Sequence, residues 1–454
     1  MIRVGVGMNR RDALRTAGIA LTAGIGGCGF GGDDGMGEPT SRGDGATSPA
    51  DEGAPPGDWP LAMYDPRNTA AALARRGPDG SLTERERWAY AGPDGATDVV
   101  ANYGPPVVAD GRIVVHLMAW YSQGDERSVV GELLALDGES WTVEWRQDAV
   151  RGGPVAPVVA DGTVLVPSLE GLVARSLADG GILWTQSEVT LPMTHPTVAD
   201  RMVVQPGANH LHALSLADGS HEWTAPIPGI REPPAIADGT VFVTRGDEAV
   251  ALDFGSGTEL WRQAHDGFES SIIWPGDPGP LGTPVVTEDL VVAAGSRQAF
   301  EHVDTGGLVA FDRADRAQRW AFDVEAHLGT YVTPAREPEE YGVHGLFGPP
   351  AVADGTLYVA GTDQERAYVH AVDATTGDLV WQSRTAGLCY HTPVTADRVV
   401  AVSAGAVEVF DRHTGDRLGA ATSPDWELNP APHQCFAGNA VVTSGPGGIR
   451  RFQG

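Results

Sequence analysis

AVDATTGDLVW, from Ala371 to Trp381, is the clearest copy of a phrase of the form Ala-x-Asp-x-x-x-Gly-x-x-x-Trp that recurs down the chain. The same frame is kept by ALDGESWTVEW (Ala135 to Trp145), ARSLADGGILW (Ala174 to Trp184), ALSLADGSHEW (Ala213 to Trp223), ALDFGSGTELW (Ala251 to Trp261) and AFDRADRAQRW (Ala310 to Trp320). A seventh copy, VFDRHTGDRLG, ends at Gly419 where the indole should be. Upstream of each lies a second phrase, Pro-Val-Val-Ala-Asp-Gly or a variant, beginning at Pro106, Pro157, Pro196, Pro234, Pro284, Pro350 and Pro393, with Cys435 at the aligning place of a degenerate eighth copy. A short apolar run into Asp-Gly predicts a strand entering a tight hairpin turn. Each unit therefore reads as four strands: a (PVVAD), b (a β-branched run such as Thr240 to Val243), c (ALD) and d (the Trp segment). Four short antiparallel strands repeated about every 40 residues mark a propeller blade.

The ends of the chain fix the blade count. The eighth unit has strands a, b (Ala440 to Thr443) and c (Ile449 to Phe452) but no strand d, whereas Trp88 in ERERWAYAG has a strand d and no a, b or c of its own. Pairing the two closes the ring and leaves no open sheet edge. The expectation is an all-β fold, an eight-bladed β-propeller of four-stranded antiparallel blades whose last blade is closed by the N-terminal strand, spanning residues 59–454.

These phrases resemble the PQQ-like, quinoprotein-type β-propeller repeat family, and the opening WPLAMYDPRNT (Trp59 to Thr69) is similar to the segment that starts many members. The resemblance implies that the Trp of one blade docks on the Ala-Gly turn region of its neighbour. Trp88, Trp145, Trp184, Trp223, Trp261, Trp320 and Trp381 are therefore expected to be structural, since a flat ring packed on a small residue buries much apolar area. Of the three cysteines, Cys389 and Cys435 fall beside neighbouring strands a, where either a disulfide or two buried free thiols would fit.

The first residues carry a different message. MNRRDALRTAGIALTAGIGGC, from Met8 to Cys28, has paired arginines at Arg10 and Arg11 and then a short stretch of small, weakly apolar residues. This pattern predicts a twin-arginine export signal over 1–27 rather than a membrane span. Ile25-Gly26-Gly27-Cys28 is similar to a lipobox, which makes Cys28 the expected lipidation site and the outer face of the cytoplasmic membrane the expected location. Residues 28–58 are Gly, Pro, Ser, Thr, Asp and Glu with little to bury, the composition of a disordered acidic tether.

With 60 acidic residues against 31 basic ones, a net charge of −29, and no Lys at all, the chain reads as haloarchaeal: self-repulsion of that size is tolerated where salt screens it. The same charge argues against nucleic acid as a partner. Nothing in the pattern demands an oligomer, so a monomer is expected.

In the regular units 27 residues separate the strand-a Pro from Trp, as from Pro157 to Trp184. Departures fall at Trp120–Gly131, His265–Gly282, Ser296–Gly306, Phe322–Gly348 and Asp363–Ala367, all in b–c or d–a connections, which emerge on one face of a propeller. Loops that elaborate one side of a rigid scaffold are where binding sits. Trp120, Tyr121, Trp274, His302, Tyr331 and His344 on those loops, with His195, Tyr390 and His391 at the channel mouth, are the candidate ligand face. His210-x-His212 has same-face strand spacing, but the sequence places no third ligand near the pair, so no metal site is assigned.

Enzymes of the resembled family hold pyrroloquinoline quinone (PQQ) over Ca²⁺ with an adjacent-Cys pair stacked on the cofactor. Here Cys389 and Cys435 are far apart, and no alternating Asp/Asn calcium loop, Gly-x-Ser-x-Gly elbow or His-Glu-x-x-His helix is present. No catalytic residue and no cofactor is therefore assigned. The expectation is a non-catalytic, lipid-anchored cell-surface propeller that binds a protein or envelope component through its loop-rich face. The alternative is a PQQ/Ca-dependent quinoprotein dehydrogenase of sugars or alcohols.

Overall fold

The computed structural model describes residues 58–454 apart from 125, 150–154, 190–193, 267–268, 271–276, 279–280, 296–306, 324–344, 363–365, 388, 390, 404–405, 423–432 and 446. Cys28, the export signal and residues 28–57 of the linker lie outside the described residues, as do Trp274, His302, Tyr331, His344 and Tyr390.

Eight antiparallel blades make an all-β propeller. Blade two shows the plain pattern: Val158–Ala160, Thr163–Ser168, Gly171–Ser176 and Ile182–Gln186, hydrogen-bonded in chain order. Blade eight is built from His433–Ala437, Ala440–Gly445 and Gly448–Gln453, and its outer strand is Thr83–Trp88, paired Thr83↔Gln453 through Trp88↔Ile449. The N-terminal strand thus closes the ring, as the two half-units in the sequence predict.

The repeated phrases become geometry. Asp and Gly after strand a both take positive φ, as at Asp110 and Gly111 (48° and 74°) and Asp238 and Gly239 (48° and 74°), the mirror-image turn whose twist matches its strands. In the c–d turn the first Asp caps the backbone: Asp373 Oδ1 accepts from the N–H groups of Thr375 and Thr376, both at 2.8 Å. Gly377 follows at φ 77°. The phrase's Ala and Trp face each other across strands c and d, Ala174↔Trp184 and Ala371↔Trp381 among them. The indoles of Trp145, Trp184, Trp223, Trp320 and Trp381 then reach into the next blade. Trp184 Nε1 donates to Leu216 O at 2.9 Å, and Trp381 Nε1 donates to Arg412 O at 3.1 Å.

Gly419, the exception in blade seven, has a steric cause. A Cβ at that position would run into the Gly80 carbonyl, because the chain leading into the closing strand crosses the site a Trp would fill.

Two features are absent from the repeat pattern. Trp120 and Tyr121 were expected on a b–c loop, yet they lie on strand b of blade one, Arg112–Gln123, which pairs along its length with strand c, Glu126–Asp137. An added strand, Thr97–Tyr103, pairs with the outer part of strand b, Val100 opposite Trp120. The β-branched and aromatic residues here lengthen the hairpin into a sheet instead of looping out. It leans on the closing seam, where Tyr103 meets Trp88 edge-on at 6.3 Å and its hydroxyl accepts the Tyr90 N–H at 2.7 Å.

The second feature is the course of residues 59–72, which run past the inner strands and bond them one after another. Trp59 exchanges backbone hydrogen bonds with Val108 of blade one; Pro60 O accepts from Val159 of blade two, Pro66 O from Ile236 of blade four and Arg67 O from Val286 of blade five. Thr69 O accepts from Val352 of blade six and Ala70 O from Val394 of blade seven, where Ala71–Ala72 adds a short parallel strand. Asn68 Nδ2 donates to Pro234 O and Pro284 O at 3.1 and 3.0 Å. Leu61 packs in the apolar cluster shared by blades two and three, and Trp59 stacks edge-on against Phe436 of blade eight at 5.4 Å. Every blade is therefore tied to this one segment.

Candidate functional site

Above the segment lies a funnel. Its wall is made by the residue one or two places before the repeating Pro of each blade, or before Cys435 in blade eight: Pro105, Ala156, His195, Glu232, Thr283, Pro349, His391 and Gln434, in order from blade one to blade eight. Ala62 and Met63 line it from the N-terminal segment, and the open cavity has a volume of about 290 Å³.

Five of these side chains give the funnel its chemistry. His195 places Nδ1 3.2 Å from Pro196 O, so the tautomer that donates there leaves Nε2 as an acceptor. Burial pushes His195 down to about 4. Burial and then the neighbouring His195 push His391 down to about 4 as well. Both imidazoles are thus neutral at neutral pH. Glu232 accepts a 2.7 Å hydrogen bond from the Thr283 hydroxyl. Gln434 spends its Nε2 on His391 O at 2.7 Å and Val400 O at 3.2 Å, while its buried Oε1 has no partner. The wall therefore offers mainly acceptors among prolines, alanine and methionine.

That composition bears on PQQ, a tricarboxylate, which needs cations or a dense set of donors to offset its charge. Among the described lining residues there is no Arg, and Glu232 contributes a carboxylate instead. Among the described residues no group of His, Cys, Asp and Glu forms a coordination shell either. The described funnel does not fit the quinone, and no chemical step is derived through it.

Of the ligand face expected from the sequence, His195 and His391 come together in the funnel. Trp120 and Tyr121 sit apart from it on the blade-one extension, and the other members lie outside the described residues. Glu232, Thr283 and Gln434 were overlooked. Their offset before the repeating Pro, shared with His195 and His391, was the available signal. Cys389 and Cys435 are two separate buried thiols.

The family model described as outer membrane protein assembly factor BamB matches residues 126–229, 225–334 and 304–448. A search of curated protein sequences finds no match. Solved structures share the fold at low identity. Quinohemoprotein alcohol dehydrogenase from Comamonas testosteroni superposes with a TM-score of 0.60 at 14% identity, covering 87% of this chain and 80% of that one. Quinohemoprotein alcohol dehydrogenase ADHIIG from Pseudomonas putida HK5 gives 0.57 at 13%, covering 88% and 80%. BamB from Moraxella catarrhalis gives 0.53 at 15%, covering 82% of this chain and all of its own.

Proposed function

The chain belongs to the PQQ-type repeat family described as outer membrane protein assembly factor BamB, and from that premise we propose that it is a non-catalytic binding scaffold, exported by the twin-arginine route, lipid-anchored through Cys28 at the outer face of the membrane of a halophilic cell. It works through the face where the d–a connections open the funnel. The observation that carries this reading is the described wall: acceptor groups and a carboxylate over the chain's own N-terminal segment, with no described cation to hold an anionic quinone. Such a mouth favours a partner that presents hydrogen-bond donors, such as backbone N–H groups of an extended segment, to His195 and Gln434.

One experiment with two arms tests the reading. Full-length protein in molar salt, titrated with PQQ and Ca²⁺ in the presence of glucose or an alcohol and an artificial electron acceptor, should show neither saturable binding nor turnover; turnover would establish the dehydrogenase reading instead. In the producing cell, Cys28→Ser should move the protein from the membrane to the soluble fraction. Unchanged partition would remove the anchor.

A further inference from the structure

The funnel presents acceptors on opposite walls. Blades three and seven, and likewise four and eight, stand four places apart in an eightfold ring, so His195 lies across the axis from His391 and Glu232 across from Gln434. Glu232 is a carboxylate anchored on one side only, its Oε2 accepting the Thr283 hydroxyl at 2.7 Å. No cation pairs with it among the described residues; Arg231, its neighbour in the chain, is exposed and forms no ion pair with it. Gln434, 6% exposed, holds His391 O and Val400 O with its Nε2 and keeps its Oε1 buried without a partner. A buried acceptor left in that condition carries a cost that an incoming donor removes. His195 has Nδ1 3.2 Å from Pro196 O, which leaves Nε2 as a third acceptor.

We propose that this funnel receives a guanidinium group, the side chain of an Arg carried on an extended segment of a partner protein, with Glu232 as its counter-ion. The inference rests on the scaffold reading above and names what the partner presents. A volume of about 290 Å³ lies at the foot of the range for small-molecule pockets, roughly 300–1,000 Å³, so the funnel suits one side chain better than a whole cofactor. Acceptors on opposed walls suit a planar group that donates from several edges at once. Guanidinium does so with five N–H groups in a fixed fork, whereas an ammonium is a single point with three donors. Met63, Pro105, Ala156 and Pro349 supply apolar surface for the flat faces of the group, which is more weakly hydrated than an ammonium and enters such surroundings at smaller cost. The net charge of −29 draws a cationic segment toward the protein at long range.

The test uses full-length protein in about 1 M salt, where a Debye length of about 3 Å removes the general pull of the acidic surface and leaves the contact pair. The probe is the peptide acetyl-Gly-Ser-Arg-Ser-Gly-amide, titrated by calorimetry beside the same peptide with citrulline, the neutral isostere, in place of Arg. The Arg peptide should saturate one site per chain, and the citrulline peptide should bind at least about 10-fold more weakly. Glu232→Gln keeps an oxygen for Thr283 and should weaken the Arg peptide by at least about 10-fold, whereas Glu139→Gln, on an exposed c–d turn at the other face, binds as the parent does. Methylguanidinium, the head group alone, should compete only at a concentration at least about 10-fold above that of the peptide, because the segment adds contacts of its own. Equal potency would make the occupant a small free cation and overturn the partner segment. No saturation by about 10 mM peptide, equal binding of the Arg and citrulline peptides, or equal binding by the parent and Glu232→Gln would overturn the guanidinium. Each of those failures leaves the scaffold reading standing, while PQQ-dependent turnover would overturn both.

Discussion

At the scale of the residue, the Gly of the repeat phrase is the most constrained position. Gly180, Gly219, Gly257, Gly377 and Gly415 all take positive φ and all lie under an indole from the preceding blade. A Cβ at Gly219 would meet Trp184 Cε3 at 2.5 Å. Gly219→Ala is therefore strained twice, by backbone and by contact, and should cost more than about 1 kcal/mol in chemical denaturation. Truncating the ring itself, Trp184→Ala, should cost about 3–5 kcal/mol. A Gly219→Ala protein as stable as the parent would show that the indole seat is loose. The phrase was readable because Ala, Gly and Trp recur for reasons local to two strands and one turn. Where Gly is missing, Trp141 and Arg316 are held at φ 60° and 61° in the same place, a substitution that spacing alone passes over.

Among the elements, the repeating strands were legible and the aperiodic ones were not. Residues 83–88 were identified by the half-blades they complete. The segment 59–72 has no period of two or 3.6, because the carbonyls of Trp59, Pro60, Pro66, Arg67, Thr69 and Ala70 answer different blades at irregular intervals while others close local turns. Thr97–Tyr103 was hidden for a related reason: its partner lies beyond the regular end of strand b, where a loop was expected. These elements define what can be removed. A chain beginning at residue 58 keeps every backbone bond between the 59–72 segment and the ring and should melt within a few degrees of the full chain. One beginning at residue 91 loses that segment as well as the outer strand of blade eight, and its melting temperature should fall by more than about 10 °C or its transition should vanish. Equal melting by circular dichroism would mean the ring stands without its hub.

For the whole molecule, charge and burial set the response to acid. His116, His195 and His391 are each pushed by burial to about 4, below the ordinary 6.5. Between those values the unfolded chain takes up protons that the folded one refuses, so stability is lost as pH falls from about 6.5 through 4. The c–d turns act lower down. Asp312, held near 2 by the Asp315 N–H and then Arg319, together with Asp137 and Asp411, both also lowered, favours the fold above the ordinary carboxylate range and loses that effect as pH drops below about 4. Melting temperature should therefore decline in two stages from pH 7 to pH 2, the first already evident at pH 5. A profile flat from pH 7 to pH 4.5 would contradict the buried neutral imidazoles.

Thr83 bonds to Gln453 across 370 positions of chain, and this reaches back to how the molecule is made. As a ribosome releases it, the strand at 83–88 emerges early with nothing to pair with until residues 448–453 follow. Blades can stack as they appear, but the circle cannot lock until residues 448–453 have emerged. Ring closure is accordingly the concluding step of the propeller's assembly, its rate set by how quickly two distant stretches of chain find each other.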